Sequence, residues 1–294
     1  MINSRKIIGH NDTFNNLLNL YKLNKLPNKI LLSGQKGIGK SLFIEIFLNF
    51  VYSTDDIKNN TCKLIENNLH PNIFKIFKKK DKKNIDISQV REMMHFQNHS
   101  SFNNKIRFII IENIEDLNLN SANALLKSIE EPNKKLFFIL TYNTGNIIPD
   151  TLRSRCIEFK LSLNIIEVKL IVNNYFNENI YDLICKDYIN CYNSPSFLIS
   201  LVLFLKDKNK NLNNFNIENF IYDIIKNKYY IYDSFIKNNL NIFIELFFYK
   251  NINRSKKISY KIKDYFYFKL SEIKKYNLDL ETFFLEFEDK LLSE

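Results

Sequence analysis

The chain has 294 residues, of which 45% are hydrophobic and 25% charged, with a formal net charge of +10. This composition is that of a globular protein of two or three domains and excludes a largely disordered chain. No apolar run approaches the roughly 18–20 residues that cross a bilayer, and no long apolar segment follows the N-terminal charges as in a secretory signal. We therefore expect a cytoplasmic protein without a membrane partner.

Four cysteines occur in the chain: Cys62, Cys156, Cys185 and Cys191. None of them forms a C-x-x-C pair, so neither a disulfide framework nor a four-cysteine zinc site is expected. His95 and His99 are four residues apart, which would place them on one helix face. Because no third ligand lies near them in the sequence, we interpret them as ordinary histidines and not as a metal pair.

The first predicted elements are a helix, a strand and a second helix. Apolar residues at helical spacing in residues 14–21, followed by Pro27, predict the first helix. The short apolar run Ile30–Leu32 is typical of a buried strand. Between Phe43 and Val51, apolar side chains recur at the spacing of an amphipathic helix.

Between this strand and helix lies G-Q-K-G-I-G-K-S, residues 34–41, which fits the phosphate-binding P-loop G-x-x-x-x-G-K-[ST]. Its glycines allow backbone N–H groups to turn toward an anion, which then lies at a helix N-terminus where the dipole favours negative charge. In such loops the lysine reaches the β- and γ-phosphates and the hydroxyl binds Mg²⁺. The nucleotide-binding residues predicted from this motif are Gly34, Gly37, Ile38, Gly39, Lys40 and Ser41.

The next stretch predicts a loop, a strand and a helix. Residues 52–72 are polar and are predicted to be irregular, and Ile73–Phe77 is predicted to be the second strand. Ile85–Phe96 is predicted to be largely helical, and Asp86 and Ser88 are candidate N-caps because their short polar side chains can bond free backbone N–H groups.

The apolar run Phe108–Ile111 predicts a buried strand, and Glu112 follows it directly. An acid at the end of a strand next to the P-loop strand is the Walker B position, where it serves the metal of a metal–phosphate site. On this interpretation Ser41 and Glu112 bind Mg²⁺. The alternative is a core strand with a capping acid.

Three further elements complete the predicted sheet. Ser121 is expected to cap a helix at Ala122–Glu130 that Pro132 stops, and Phe137–Leu140 and Ile157–Phe159 are predicted strands. Apolar strands separated by helices predict an α/β fold with a parallel sheet covered on both faces, and ligands bind beyond the carboxyl ends of such strands. The segments expected to converge there are Gly34, Glu112 and Thr141–Asn143.

The pattern changes after about residue 162, because the remainder has no glycine and Pro195 is its only proline. Apolar residues there recur at helical spacing, which predicts all-helical structure. The predicted domains are therefore a P-loop domain at residues 1–162, a small helical domain at 163–205 and a second helical domain at 206–294.

The second helical domain is also basic. Residues 206–275 hold 15 lysines and arginines against 7 acids. Such an excess is typical of nucleic-acid binding, but it also fits the solvated surface of a helical domain, and the sequence leaves both open.

Five segments resemble those of a known family. They are I-G-H at residues 8–10, L-P-N-K-I-L-L-S-G at 26–34, I-D-I-S-Q-V-R at 85–91, A-N-A-L-L-K-S-I-E-E-P at 122–132 and S-R-C at 154–156. With them the chain resembles, from residue 6 to about 200, the delta-prime type of clamp-loader subunit of bacterial DNA polymerase III. The last two segments together are far more specific than the P-loop alone.

The resemblance implies an AAA+ domain, a helical lid domain and a helical collar domain. In such loaders five subunits, including those of delta and gamma/tau type, form a ring through their collars and open the sliding clamp for primer-template DNA. The resemblance further implies that Arg155 acts as an arginine finger on the ATP of a neighbour and that Asn143 is the sensor-1 residue. A guanidinium aimed at the γ-phosphate stabilises charge in the transition state.

Three departures from the family pattern are visible. The usual Walker B pair, aspartate then glutamate, is replaced by Glu112-Asn113, and an amide cannot act as a general base. The sensor-2 arginine that active loaders carry near Phe197 is missing from N-S-P-S-F. Of the zinc knuckle of many relatives, only Cys62 and His70-Pro71 remain, so no zinc is expected.

The sequence therefore predicts an accessory clamp-loader subunit that binds ATP and Mg²⁺ weakly or not at all and supplies Arg155 to a neighbouring ATPase. Its own ATPase activity is expected to be weak or absent. One alternative is a motor-type ATPase, which would need a carboxylate in place of Asn113 and a sensor-2 arginine. A second is a P-loop kinase, which would leave the S-R-C segment unexplained.

Overall fold

The computed structural model describes residues 7–52, 58–79, 82, 84–99, 102, 105–130, 135–191, 194–213, 215–252, 259–276 and 278–292. The chain forms two compact units, Met1–Glu167 and Val168–Glu294. Within the described residues, no helix is long and apolar enough to span a membrane. The domain boundaries at residues 162 and 205 stay predictions.

The first unit contains a five-stranded sheet in the order β2-β3-β4-β1-β5, and all neighbours are parallel. Its strands are β1 (Lys29–Gly34), β2 (Ile73–Ile76), β3 (Arg107–Ile111), β4 (Leu136–Asn143) and β5 (Ile157–Lys160). The α/β class is confirmed. The expectation that the strand before Glu112 lies next to the P-loop strand was wrong, because β4 lies between β3 and β1 and pairs with both.

Helices connect these strands. They are α1 (Asn11–Lys22), α2 (Lys40–Tyr52), α3 (Lys58–Glu66), α4 (Ile87–Asn98), α5 (Leu119–Glu130) and α6 (Asp150–Arg153). The prediction of irregular structure for residues 52–72 was wrong, because α3 forms there and buries Ile65 in the core despite its polar neighbours. Here the contact with the core outweighs the weak local pattern.

The N-terminus of α5 differs from the prediction. The backbone N–H of Ser121 donates to the side chain of Asn118 at 2.8 Å, so Asn118 fills the capping role predicted for Ser121. Ser121 is fully buried instead, and its hydroxyl donates to the carbonyl of Ile85 at 3.1 Å. The predicted Pro132 stop lies outside the described residues.

The central strands β1, β3 and β4 are buried on both faces, as their continuous apolar runs require. Ile30 and Leu32 of β1 pack in one core cluster with Phe47, whereas Leu31, between them, packs in a second cluster with Leu125. Side chains alternate along a strand, so one apolar run serves both faces. Because these faces are apolar, polar residues lie at the carboxyl ends of the strands.

In the second unit the described residues form helices and no strands. After α7 (Ile165–Phe176), which begins in the first unit, they are α8 (Lys186–Cys191), α9 (Pro195–Asp207), α10 (Ile217–Lys226), α11 (Tyr229–Tyr232), α12 (Ser234–Asn251), α13 (Tyr260–Tyr276) and α14 (Leu280–Phe287). Asn216, Asp233 and Asp279 cap α10, α12 and α14 by accepting backbone N–H bonds.

Aromatic side chains fill the core of this second unit. Phe248, Phe266 and Phe287 are fully buried, and their ring centroids lie 5.1–6.1 Å apart. Aromatic rings bury large areas without any polar group, so a few of them supply much of a small helical core. The core of this unit is therefore built largely from aromatic side chains.

Candidate nucleotide-binding site

The P-loop begins where β1 ends. Gly37 and Gly39 have φ angles of 85° and 95°, which other residues rarely adopt. At Gly34 a Cβ atom would lie 2.6 Å from the carbonyl oxygen of Leu161 and 2.5 Å from a methyl group of Ile38. The loop then enters α2 at Lys40, so it lies at a helix N-terminus, where anions are favoured. Its binding of phosphate stays a prediction.

The lysine of the motif contacts its own loop. Nζ of Lys40 donates to the carbonyls of Gly34 at 2.8 Å and Gln35 at 2.9 Å, and to Oδ1 of Asn143 at 2.8 Å. Burial lowers the pKa of Lys40 to about 8, and the carboxylate of Glu115 opposes that shift. A bound phosphate would have to draw the ammonium group away from these three oxygens.

Asn143 lies at the centre of the site. It ends β4 and is paired in register with Gly34, because the two strands are neighbours. While Oδ1 accepts from Lys40, Nδ2 donates to Oε1 of Glu115 at 2.6 Å and to Oδ1 of Asn113 at 3.0 Å. Asn143 at the end of β4 therefore joins the P-loop lysine to two residues that follow β3, Asn113 and Glu115.

Glu115 is the residue that sequence reasoning missed. Its Oε1 accepts from the backbone N–H of Asn143 at 3.0 Å and from Nδ2 of Asn146 at 2.9 Å, besides Nδ2 of Asn143. Its Oε2 is buried and accepts no hydrogen bond from the described residues. A 3₁₀ turn at Ile114–Asp116 brings this acid back to the strand ends, and no pattern in the sequence signals that turn.

The position after Glu112 suits an asparagine. Asn113 has a φ of 54°, in the left-handed region where asparagine is favoured over most other residues. Its N–H donates to the hydroxyl of Thr141 at 2.9 Å. Asn113 is therefore held both through its backbone N–H and through its side-chain oxygen.

The two residues predicted to bind Mg²⁺, Ser41 and Glu112, line one small cavity of about 60 Å³. Lys75 of β2 lines it too, and its Nζ lies 3.1 Å from Oε1 of Glu112. Oxygen donors suit Mg²⁺. However, Glu112 is already paired with the ammonium group of Lys75, so Ser41 and Glu112 as arranged do not fit the ion. Glu45 and Glu66 also line the cavity.

Two arginines flank the turn before β5, and they differ. Arg153 donates twice to Oε2 of Glu158, at 2.9 and 3.0 Å, while the hydroxyl of Ser33 donates to Oε1 at 2.6 Å. Burial raises the pKa of Glu158, but these hydrogen bonds outweigh it and leave the pKa below its ordinary value. Arg153 thus connects the turn to the P-loop strand.

Arg155, the predicted arginine finger, pairs with a carboxylate that is more exposed than the partner of Arg153. Its Nε donates to Oε1 of Glu130 at 2.7 Å, and Nη1 donates to the carbonyl of Thr151 at 2.9 Å. The two ionic side chains are 38% and 54% exposed. Arg155 therefore forms a salt bridge with Glu130 that lies at the surface.

Two other predicted segments have clear positions. His10 of the I-G-H segment places Nε2 3.1 Å from the carbonyl oxygen of Ile38, so this segment contacts the P-loop. In the second unit, Phe197 is buried and its ring packs against those of Phe235 and Phe243. Asn193, the first residue of that lid segment, lies outside the described residues.

Comparisons with known proteins identify the family of the chain. The family described as DNA polymerase III, delta subunit, matches residues 9–164. The delta' subunit of Buchnera aphidicola from Schizaphis graminum is 30% identical over 180 residues, which cover 58% of this chain and 54% of that protein. The gamma subunit from the same source is 29% identical over 165 residues, or 54% of this chain and 45% of the relative. These alignments span about half the length of the relatives.

A solved structure shows a similar fold. The DNA polymerase III gamma subunit-related protein of Thermotoga maritima superposes over 93% of this chain and 99% of its own, with a TM-score of 0.52 and 14% identity. That likeness concerns the fold alone. The family match covers more than half of the chain and includes the P-loop, Asn143 and Arg155. The chain therefore belongs to the DNA polymerase III delta subunit family of AAA+ clamp-loader proteins.

Proposed function

We propose that this chain is an accessory, delta-prime type subunit of a bacterial clamp loader. It joins delta and gamma/tau type subunits in a five-membered ring in the cytoplasm and helps load the sliding clamp onto primed DNA. It binds ATP weakly, does not hydrolyse it at a useful rate, and supplies Arg155 to a neighbouring ATPase site. Relatives named as delta' and gamma subunits of DNA polymerase III support this role.

The observation that carries the proposal is the amide of Asn113. It follows the acid at the end of β3, where a base for the attacking water is needed, and it accepts a hydrogen bond from Nδ2 of Asn143. An amide takes no proton, and the loss of a positioned base lowers a rate by about 10²–10⁴. Glu115 does not replace it readily, since three donors hold one of its carboxylate oxygens.

Weak nucleotide binding follows from the contacts of Lys40. The P-loop backbone is suited to phosphate, but Lys40 already donates to three oxygens of the first unit. Binding must exchange those hydrogen bonds for new ones to phosphate. The net gain is therefore smaller than for an ammonium group with no partner, because each exchanged hydrogen bond contributes only about 1 kcal/mol net.

The position of Arg155 fits a role on a neighbouring subunit. Its ion pair with Glu130 is exposed, and exposed pairs contribute about 0–1 kcal/mol, so a phosphate of higher charge displaces Glu130 easily. Its planar guanidinium suits two oxygens of one phosphate. Arg153, although only two residues away, is held by Glu158 and cannot serve in the same way without a loss of stability.

The second unit offers surface for assembly. Tyr232, Tyr249, Tyr260 and Phe268 are each at least 66% exposed on its described helices. Aromatic residues are enriched in the centres of protein interfaces. We assign this surface to contacts within the ring.

ATP turnover by the purified full-length chain, alone and with its partner subunits and primed DNA, tests the proposal. Alone, its turnover should equal that of Lys40→Ala; in the complex, its addition should raise DNA-stimulated turnover. Steady turnover by the isolated chain that is lost in Lys40→Ala contradicts the accessory role. If that turnover is also lost in Glu115→Gln, Glu115 is the base, and the motor-type alternative holds.

A further inference from the structure

A small cavity beside the P-loop holds a lysine where a metal ion was expected. The cavity has a volume of about 60 Å³, and its lining includes Ser41, Lys75 and the three carboxylates Glu45, Glu66 and Glu112. Ligand pockets for whole nucleotides occupy about 300–1,000 Å³, whereas a few water molecules need only tens of Å³. This cavity therefore has the size of a hydrated ion beside the phosphate-binding loop.

The register of the sheet places Lys75 in this cavity. β2 and β3 are parallel neighbours in which Lys75 is paired with Ile110, and the backbone N–H of Glu112 donates to the carbonyl of Ile76 at 2.9 Å. Paired residues of neighbouring strands point to the same face, and so do residues two apart. Lys75, Ile110 and Glu112 accordingly line the same cavity, which Ser41 of α2 also lines.

The Lys75–Glu112 pair is half-buried. The two side chains are 26% and 17% exposed, and Nζ lies 3.1 Å from Oε1. Oε1 of Glu112 accepts no hydrogen bond from the described residues. The positive charge of Lys75 is therefore what offsets the loss of water around this carboxylate. Away from bulk water, attraction between opposite charges is stronger than at the surface. Removing the lysine would leave the half-buried carboxylate of Glu112 without this positive charge.

We propose that Lys75 takes the place of the divalent cation, so that this P-loop binds nucleoside polyphosphates without Mg²⁺. The inference rests on the nucleotide binding proposed above and names its ionic requirement. An ammonium group is a compact positive charge that binds phosphate oxygens. At 3.1 Å from Glu112 it repels a divalent ion from the carboxylate that the ion would need. Lys75 thus determines that the site prefers a nucleotide without Mg²⁺ to one with Mg²⁺.

The first test needs no nucleotide. Binding of Mn²⁺ alone to the full-length chain is measured by electron paramagnetic resonance for wild type, Lys75→Met and Lys75→Gln. Removing the ammonium should tighten Mn²⁺ binding by about tenfold, which corresponds to about 1.4 kcal/mol. Two variants are used in case one of them misfolds, and circular dichroism checks that each variant is folded. Equal Mn²⁺ binding by wild type and folded variants overturns the role of Lys75.

Lys78→Met is the matched control. Lys78 follows β2 and pairs with Asp116 at 2.7 Å, but it does not line the cavity with Ser41. Its loss should leave Mn²⁺ binding at the wild-type level. If Lys78→Met tightens Mn²⁺ binding as much as Lys75→Met, the effect is one of overall charge and the proposal fails.

The second test uses a fluorescent N-methylanthraniloyl derivative of ATP, with EDTA or with excess MgCl₂. Wild type should bind the derivative with about equal affinity in both buffers. Lys75→Met should bind it about tenfold more weakly in EDTA, because a hydrogen bond to a charged group contributes about 1.5–3 kcal/mol. Magnesium-dependent binding by wild type overturns the role of Lys75 alone. No binding in either buffer overturns both this role and the proposed ATP binding.

Discussion

The two units of the chain are constrained in different ways. In the first, single residues are fixed by backbone conformation and by hydrogen bonds, as at Gly37 and Gly39 with positive φ and at Lys40 with three acceptors. In the second, large side chains such as Phe248 and Phe266 fill a helical core, with no such backbone requirement on the rings themselves.

This difference explains where the sequence similarity lies. The family match ends at residue 164, close to the end of the first unit, whereas the superposition with the Thermotoga maritima structure covers 93% of the chain at 14% identity. Helical cores accept many apolar combinations of equal volume, so their sequences diverge while the fold persists. A P-loop does not accept such exchanges, because a side chain at Gly34 would collide with backbone.

The largest effect predicted is on activity and comes from the first unit. Arg155→Ala should reduce DNA-stimulated ATPase of the assembled complex, because an arginine finger contributes about 10³–10⁵ at a single site. The loss in the whole ring should be smaller, since other sites keep their own arginines. Thermal stability should change little, because the pair with Glu130 is exposed. Steady-state ATPase and melting curves measure both.

Arg153→Ala is the matched control for that variant. Arg153 lies in the same turn but donates twice to Glu158, so its loss should lower the melting temperature and leave ATPase per folded complex unchanged. Arg155→Lys should rescue only partly, since an ammonium lacks the planar fork. A lowered melting temperature with unchanged ATPase in Arg155→Ala would assign that residue to the structural salt bridge instead.

The next effect is on stability and comes from the second unit. Phe248→Ala should reduce the free energy of unfolding by about 3–5 kcal/mol, because truncating a buried phenylalanine leaves a cavity. Tyr249→Ala, next in the chain and 72% exposed, should change it by less than about 0.5 kcal/mol. Urea unfolding followed by circular dichroism compares them. Equal losses would mean that Tyr249 is covered in the folded chain.

A smaller loss is expected at Glu115. Glu115→Ala removes the acceptor of three N–H groups, of which the two on Asn143 are half-buried, and leaving such donors unpaired costs about 1–3 kcal/mol. Asp116→Ala is the control, because its partner Lys78 is 40% exposed and the pair contributes about 0–1 kcal/mol. Chemical denaturation distinguishes the two. A loss in the control as large as in Glu115→Ala would count against the network around Asn143.

The smallest effect concerns a thiol. Burial raises the pKa of Cys156 to about 11, and the nearby charge of Lys29 opposes this only in part. The thiolate is the reactive form, so at pH 8 only about one molecule in a thousand should react at a given moment. Iodoacetamide labelling read by mass spectrometry should therefore speed up about tenfold per pH unit between roughly pH 8 and 10. Rapid, pH-independent labelling would show that Cys156 is in contact with solvent.

The sequence by itself determined the class of fold and the position of the P-loop between a strand and a helix. The G-x-x-x-x-G-K-[ST] spacing identifies the P-loop because glycine is required at positive φ, and apolar strand runs identify a sheet buried on both faces. Asn143 could be placed next to the loop because polar residues after parallel strands meet at one edge of the sheet. The helical second half followed from its periodicity and its lack of glycine.

Only the tertiary structure decided which charges meet. Strand order separates β3 from β1 by β4 and brings Lys75 of β2 to Glu112, and no local pattern encodes which strands are neighbours. The turn that returns Glu115 to Asn143 and the core contact that keeps α3 helical also depend on residues distant in sequence. Local sequence sets the backbone conformation, whereas ion pairs and networks between strands arise only when the sheet assembles, because their partners lie tens of residues apart.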